Sequence, residues 1–274
     1  MNPIEMIKKM NEFIEEINNI LGKNGIQEKI SLEDLSFGDS TVLARNREDL
    51  KLASAIIGHI WPSISKQTVY HYTDKDAAEN ILASHKFRLT NIQKRIAEHE
   101  IKTLCDRLGL HHYNTDELDQ TFYASFVQSN LTQEQEEYFW RSFASCDGVR
   151  LKFEITAENS NLRNMVYQEN HNPVSIIQEI QALTQKIFNK KFVFQGLSML
   201  CAFYLPSSYR VENETRMAYK ERDITQILSK DAQYTYIELP LGEVNRGFKI
   251  DVIEVCASEK IIIPDSIPFL LRSC

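Results

Sequence analysis

A chain of 274 residues, 43% hydrophobic, 25% charged and 10% aromatic, has an ordinary globular composition and enough apolar material for one large core or two small ones. Its formal charge of −7 argues against tight, non-specific nucleic-acid binding, which needs a basic surface, but leaves room for a local basic patch. No apolar run reaches the roughly 18 residues of a membrane span, and residues 1–9 lack the basic, apolar and small-residue succession of a secretory signal. The expectation is a cytoplasmic protein without a membrane partner, whose cysteines (Cys105, Cys146, Cys201, Cys256, Cys274) are reduced and structural.

In chain order, the first predicted element is an amphipathic helix over residues 4–21. Ile4, Ile7, Met10, Ile14, Ile17 and Leu21 recur at three- and four-residue steps, and Gly22 and Gly25 supply the stop. Asn46 caps a second helix that runs to Ile60 before Pro62. Residues 69–73 read as a strand. Asp74 then caps a helix to Ser84 with Ala77, Ala78, Ile81 and Leu82 on one face, and residues 87–90 are extended again. Residues 92–110 carry helical spacing, and 111–120 form a polar loop over a site.

Residues 122–127 have strand composition. Thr132 starts a helix that bears Tyr138, Phe139, Trp140 and Phe143. Val149, Leu151, Phe153 and Ile155 alternate with polar residues, the pattern of a half-buried strand. Residues 173–189 read as a helix, while 192–194 and 199–205 are apolar runs that periodicity does not assign. Strand chemistry returns at 215–219, 234–239, 250–256 and 261–263. This is an α+β pattern rather than a βαβ series. With no long Pro/Gly linker, the predicted organisation is a helical extension over 1–64 and one α+β domain over 65–274.

Several chemistries lack their motifs. No glycine-rich phosphate loop of the P-loop or dinucleotide-fold type occurs, and no GxSxG elbow. His111 and His112 are adjacent, and no His-x-x-x-His or CxxC exists, so no metal is expected.

What remains is three separated segments able to meet at one nucleotide site. In Val69-Tyr70-His71-Tyr72-Thr73, an extended chain puts His71 and Thr73 on one face and the tyrosines on the other. In Thr121-Phe122-Tyr123-Ala124-Ser125-Phe126, Tyr123 and Ser125 share a face, and a buried Ser hydroxyl needs a partner. In Glu212-Asn213-Glu214-Thr215-Arg216, strand spacing places both carboxylates and Arg216 together, with Arg216 as their cationic partner. A carboxylate so held suits a ribose hydroxyl and positive charge on the ribose carbon beside nicotinamide. Two groups of basic residues, Lys86, Arg88, Lys94, Arg95 and then Lys186, Lys190, Lys191, are open to either a solvated face or a nucleic-acid contact.

These segments also carry a resemblance. Residues 69–91 (VYHYTDKDAAENILASHKFRLTN) resemble the opening of a widespread bacterial family of domains of unknown function. That family continues with a Ser-Phe strand, a Trp-bearing helix and a Gly-Val strand, here at Ala124-Ser125-Phe126, Trp140 and Gly148–Phe153, and closes with Glu-x-Glu-x-Arg, here Glu212 to Arg216. The family is similar to the ADP-ribosyltransferase superfamily, and the resemblance covers residues 69–256, about two thirds of the chain. It departs after Asn91, where Ile92-Gln93-Lys94-Arg95 and a helical insertion replace the usual turn.

The resemblance implies an α+β, ADP-ribosyltransferase-like split antiparallel sheet with NAD as co-substrate and no metal. It implies that His71, with Tyr72 and Thr73, holds the adenosine-side ribose. Tyr123 and Ser125 would position the nicotinamide ribose and the catalytic carboxylate, with Phe126 or Trp140 packing nearby and Arg216 among the cofactor contacts. Glu214, two residues before Arg216, would be the catalytic carboxylate, and Glu212 would orient the acceptor. The expected function is an NAD-dependent mono-ADP-ribosyltransferase, a bacterial toxin or phage-defence effector. Its acceptor would be RNA or protein, with a lean to RNA, and the N-terminal helices are a candidate surface for an antitoxin. The alternatives are a non-catalytic nucleotide- or partner-binding module, an NAD glycohydrolase, or a nuclease with a different acid/base pair.

Overall fold

The computed structural model describes residues 2–44, 51–92, 119–145, 148–158, 161–167, 173–194, 196–205, 207–231, 234–257 and 270–273. Helix α1 (Pro3–Lys23) begins where the Ile4 N–H donates to the Asn2 side chain at 3.0 Å. Its predicted stripe is buried only in its later turns, at Phe13, Ile17, Ile20 and Leu21, whereas Ile4 and Ile7 are 76% and 55% exposed. A hairpin of β1 (Leu35–Phe37) and β2 (Thr41–Ala44) follows, then α2 (Lys51–Ile60).

Strand β3 (Lys66–Thr73) runs into α3 (Lys75–Ser84), where Asp74 accepts from the Ala77 N–H at 2.7 Å and a left-handed His85 ends the helix. Strand β4 (Lys86–Asn91) comes next. The helix predicted over 92–110 and the loop after it lie almost wholly outside the described residues. Then come β5 (Thr121–Gln128), α4 (Gln133–Phe143) with a Thr132–Gln135 capping box, β6 (Val149–Ala157), β7 (Leu162–Asn164) and β8 (Val166–Tyr167). The chain continues through α5 (Pro173–Phe188), β9 (Lys191–Val193), α6 (Leu197–Phe203), β10 (Tyr204–Leu205) and β11 (Glu214–Lys220). It closes with β12 (Leu228–Asp231), β13 (Tyr234–Pro240), β14 (Phe248–Ala257) and β15 (Leu270–Ser273).

The main sheet has the order β12-β13-β4-β5-β3-β6-β14-β15, with β11 on the other edge of β5 and β7 beyond it. Every pairing in it is antiparallel except β14 with β15. The fold is α+β with a mostly antiparallel sheet, and β5 is where that sheet divides. One edge of β5 pairs with β11 from Thr121 to Val127. On the opposite edge β4 reaches only Phe122 and Tyr123, and β3 only Val127 and Gln128. Ala124, Ser125 and Phe126 therefore face a gap where β3 and β4 diverge.

Two large cores flank this sheet. One gathers Val69, Leu82, Leu89, Phe126, Leu151, Phe153 and their neighbours, and the alternation read from β6 is met by Val149, Leu151, Phe153 and Ile155, all at 0% exposure. The other joins the N-terminal segment (Phe13, Ile17, Ile56, Trp61) to residues 165–205 (Met165, Ile177, Phe192, Phe203). The N-terminal helices thus share one interior with α5, α6 and the small β1-β2-β9 sheet, to which the N-terminal segment and β9 both contribute strands. Burial of this apolar surface, at about 25 cal/mol per Å², holds the segment against the rest of the chain.

Two local features follow from close packing. A Cβ on Gly148 would lie 2.3 Å from the Thr73 carbonyl oxygen and 2.6 Å from that of Ala144, so only glycine lets β6 start against the end of β3. Cys201 is buried and lies outside any disulfide, but Cys256 is disulfide-bonded, which corrects the expectation that all five cysteines are reduced. Among the described residues no helix is long and apolar enough to cross a membrane.

Candidate functional site

The gap in the sheet opens into a cleft with two arms that meet at His71 and Ser125. The first arm, about 450 Å³, runs between α3 and β4 and is lined by Thr73, Asn80, Lys86, Arg88 and Tyr123 among others. The second, about 310 Å³, lies under α4 and is lined by Tyr72, Phe126, Phe139, Tyr209, Glu212 and Glu214 among others. All three segments singled out in the sequence converge here.

Alternation along β3 sends His71 and Thr73 to the first arm and Tyr72 toward α4. The His71 ring packs edge-on against Phe87 at 5.3 Å and Phe126 at 6.0 Å and hydrogen-bonds the Ser125 backbone. Desolvation by these rings pushes its pKa down to about 4, so the imidazole is neutral at pH 7. Tyr72 stacks on Phe139 at 5.4 Å, and burial, the largest influence, pushes its phenol up to about 12.

On β5, Tyr123 faces the first arm and lies under the Arg216 guanidinium, 5.1 Å from ring centroid to carbon. The Ser125 Oγ is buried at the waist of the cleft and has no hydrogen-bond partner among the described residues. The sequence argument expected a partner for it. A buried hydroxyl left unsatisfied costs about 1–3 kcal/mol, and this one lies where the two arms meet. Phe126 is 1% exposed and combines wall and core, stacking on Phe87 at 5.3 Å.

The Glu-x-Glu-x-Arg segment departs from its expected geometry. Glu212 lies in a 3₁₀ turn over Ser207–Glu212, not on the strand, because Asn213 between the two carboxylates has a left-handed φ of 41°. Both carboxylates still line the second arm. Glu214 opens β11 and is ion-paired with Arg216 at 2.9 Å, and Arg216 donates onward to the Ala202 carbonyl at 3.0 Å. Arg216 is 2% exposed and is not among the residues lining either arm, so it supports Glu214 from behind, where a cofactor contact was expected.

Charge divides the cleft. Lys86 and Arg88 share the carboxylate of Glu238, at 2.7 and 3.2 Å, and among the described residues no carboxylate lines the first arm. The second arm holds Glu212 and Glu214 among aromatic rings, with no Lys or Arg among the described residues of its lining. Lys94 and Arg95 lie outside the described residues, and Lys190 donates to the Gly38 carbonyl, away from the cleft. No group of three His, Cys, Asp or Glu side chains able to hold a metal occurs among the described residues.

Sequence reasoning missed Tyr167, whose hydroxyl accepts from the Glu214 N–H at 2.9 Å, and Tyr209 in the second arm. Both sit in segments without periodicity. Comparison with protein-family models, with curated proteins and with solved structures returned no match.

Proposed function

We propose that this protein is an NAD-dependent ADP-ribosyltransferase. The observation that carries the reading is the opposite polarity of two arms joined at one waist. NAD is anionic at its pyrophosphate and cationic at its pyridinium ring. A cleft with Lys86 and Arg88 in one arm, and Glu212 and Glu214 among aromatic rings in the other, is complementary to that distribution. The unpartnered Ser125 Oγ between the arms suits a ribose hydroxyl.

The reaction breaks the glycosidic bond, whose electron pair leaves with nicotinamide, and an acceptor lone pair forms the new bond to the ribose carbon as the acceptor loses a proton. Glu214, fixed by Arg216, stabilises positive charge developing on that carbon. Glu212, at the end of the 3₁₀ turn before β11, takes the acceptor's proton. Neutral His71 and Ser125 hold the substrate at the waist, and the rings of Tyr72, Phe126 and Phe139 exclude water around the carboxylates. The acceptor class proposed is RNA or protein.

The test is incubation of purified protein with labelled NAD and a cell lysate, followed by separation of protein and RNA. Label in one fraction with the wild type and in neither with Glu214→Gln supports transfer and gives the acceptor class. Free ADP-ribose without labelled polymer replaces transfer with NAD hydrolysis.

A further inference from the structure

Tyr167 lies where β7 stops accompanying β11. Residues Leu162, Arg163 and Asn164 pair with Met217, Arg216 and Thr215, and the Met165 N–H donates to the Glu214 carbonyl at 2.9 Å. The chain then bends away, and β8 pairs in parallel with β10. The next backbone donor of β11, the Glu214 N–H, would face this bend without a strand carbonyl. The Tyr167 hydroxyl oxygen takes that place, accepting from it at 2.9 Å. Both backbone groups of Glu214 are thus held by the segment Met165–Tyr167, while its carboxylate is held by Arg216.

The hydroxyl has a proton to give as well as lone pairs to offer. Glu212, Glu214 and Arg216 are its charged neighbours, and burial, with the two carboxylates, moves the phenol well above its ordinary value. Burial thus favours Tyr167 as a neutral O–H beside the two carboxylates of the second arm. Its ring packs against the core that contains α1, α2 and α6, which ties its position to that core.

Resting on the proposed transferase reading, we infer that Tyr167 is a positioning residue for Glu214. It fixes the first residue of β11 so that the carboxylate enters the second arm, and it transmits the packing of the N-terminal core to the reacting centre. Arg216, which bonds both Glu214 and the Ala202 carbonyl of α6, forms the second such link.

The deciding variant is Tyr167→Phe, which keeps the ring and removes only the oxygen. NAD affinity is expected to stay within about threefold of wild type while turnover falls about 10- to 100-fold, the loss that follows when a catalytic group is misplaced by an ångström or less. In the same samples, hydrogen exchange at the Glu214 amide should quicken by about tenfold or more, with Met217 and Ala218 unchanged. Unchanged turnover, or a change confined to NAD affinity, overturns the positioning role. If wild-type protein releases no nicotinamide, the transferase reading falls by itself. Amide exchange then decides Tyr167: faster exchange confined to Glu214 upholds its hold on that residue, and unchanged exchange overturns it.

Discussion

The Arg216 guanidinium holds the Glu214 carboxylate at 2.9 Å from within the sheet, and both side chains are nearly sealed from solvent, at 2% and 7% exposure. Removing one partner of such a pair leaves the other as an uncompensated buried charge, at a cost of about 3–5 kcal/mol. Arg216→Met should therefore lower stability to urea by that order and also deprive the Ala202 carbonyl of its donor. Equilibrium unfolding measures it. A loss below about 1 kcal/mol would mean that the pair is solvated like a surface ion pair.

His71 makes stability depend on pH in a defined window. Its folded pKa of about 4 lies below the ordinary 6.5, so the unfolded chain binds the proton more readily. Stability is then complete above pH 6.5 and is lost as pH falls toward 4, by up to about 3 kcal/mol for a shift of this size. Urea unfolding of wild type and His71→Gln between pH 7.5 and 4.5 should show a steeper loss in the wild type. Parallel curves would show that His71 is not the group responsible.

Ser125→Ala separates stability from binding. The hydroxyl has no partner among the described residues, so its removal should leave stability within about 1 kcal/mol or raise it slightly. NAD affinity should fall about 2- to 10-fold, the worth of one neutral hydrogen bond. A marked drop in melting temperature would mean that the hydroxyl belongs to the fold.

Lys86 and Arg88 are half exposed and share Glu238, so Arg88→Ala should cost less than about 1 kcal/mol of stability. If the first arm takes the pyrophosphate, the KM for NAD should rise about tenfold with kcat unchanged, the behaviour of uniform binding. Affinity for nicotinamide riboside, which lacks phosphates, should not move. Equal losses for both compounds would assign Arg88 to shape rather than charge.

Much of this arrangement was legible in the sequence because it rests on short-range rules. Asp74 and Thr132 cap helices as their spacing indicates, and the alternation of β6 is met at every core position. The faces of His71 and Thr73 against Tyr72 follow from strand geometry alone. Glu212 did not obey the same rule, since one left-handed residue, Asn213, removes it from the strand. The apolar runs around 192–194 and 199–205 became β9, α6 and β10, elements too short and too uniformly buried to show a period. Tyr167 was invisible because its role depends on where β7 leaves β11, a tertiary event with no local signature. The sharing of one core by the N-terminal helices and residues 165–205 is likewise a long-range fact.

Under the proposed function, Glu214 acts on the glycosidic bond of NAD in the second arm of the cleft. This action is tested most directly by measuring nicotinamide release from NAD by wild-type protein and by Glu214→Gln, each with cell lysate as a source of acceptor and each confirmed folded by circular dichroism. Steady release is expected with the wild type and a fall of about 100-fold or more in the variant, the scale of losing a group that stabilises the transition state. Equal release by both proteins, or none by either, would contradict it.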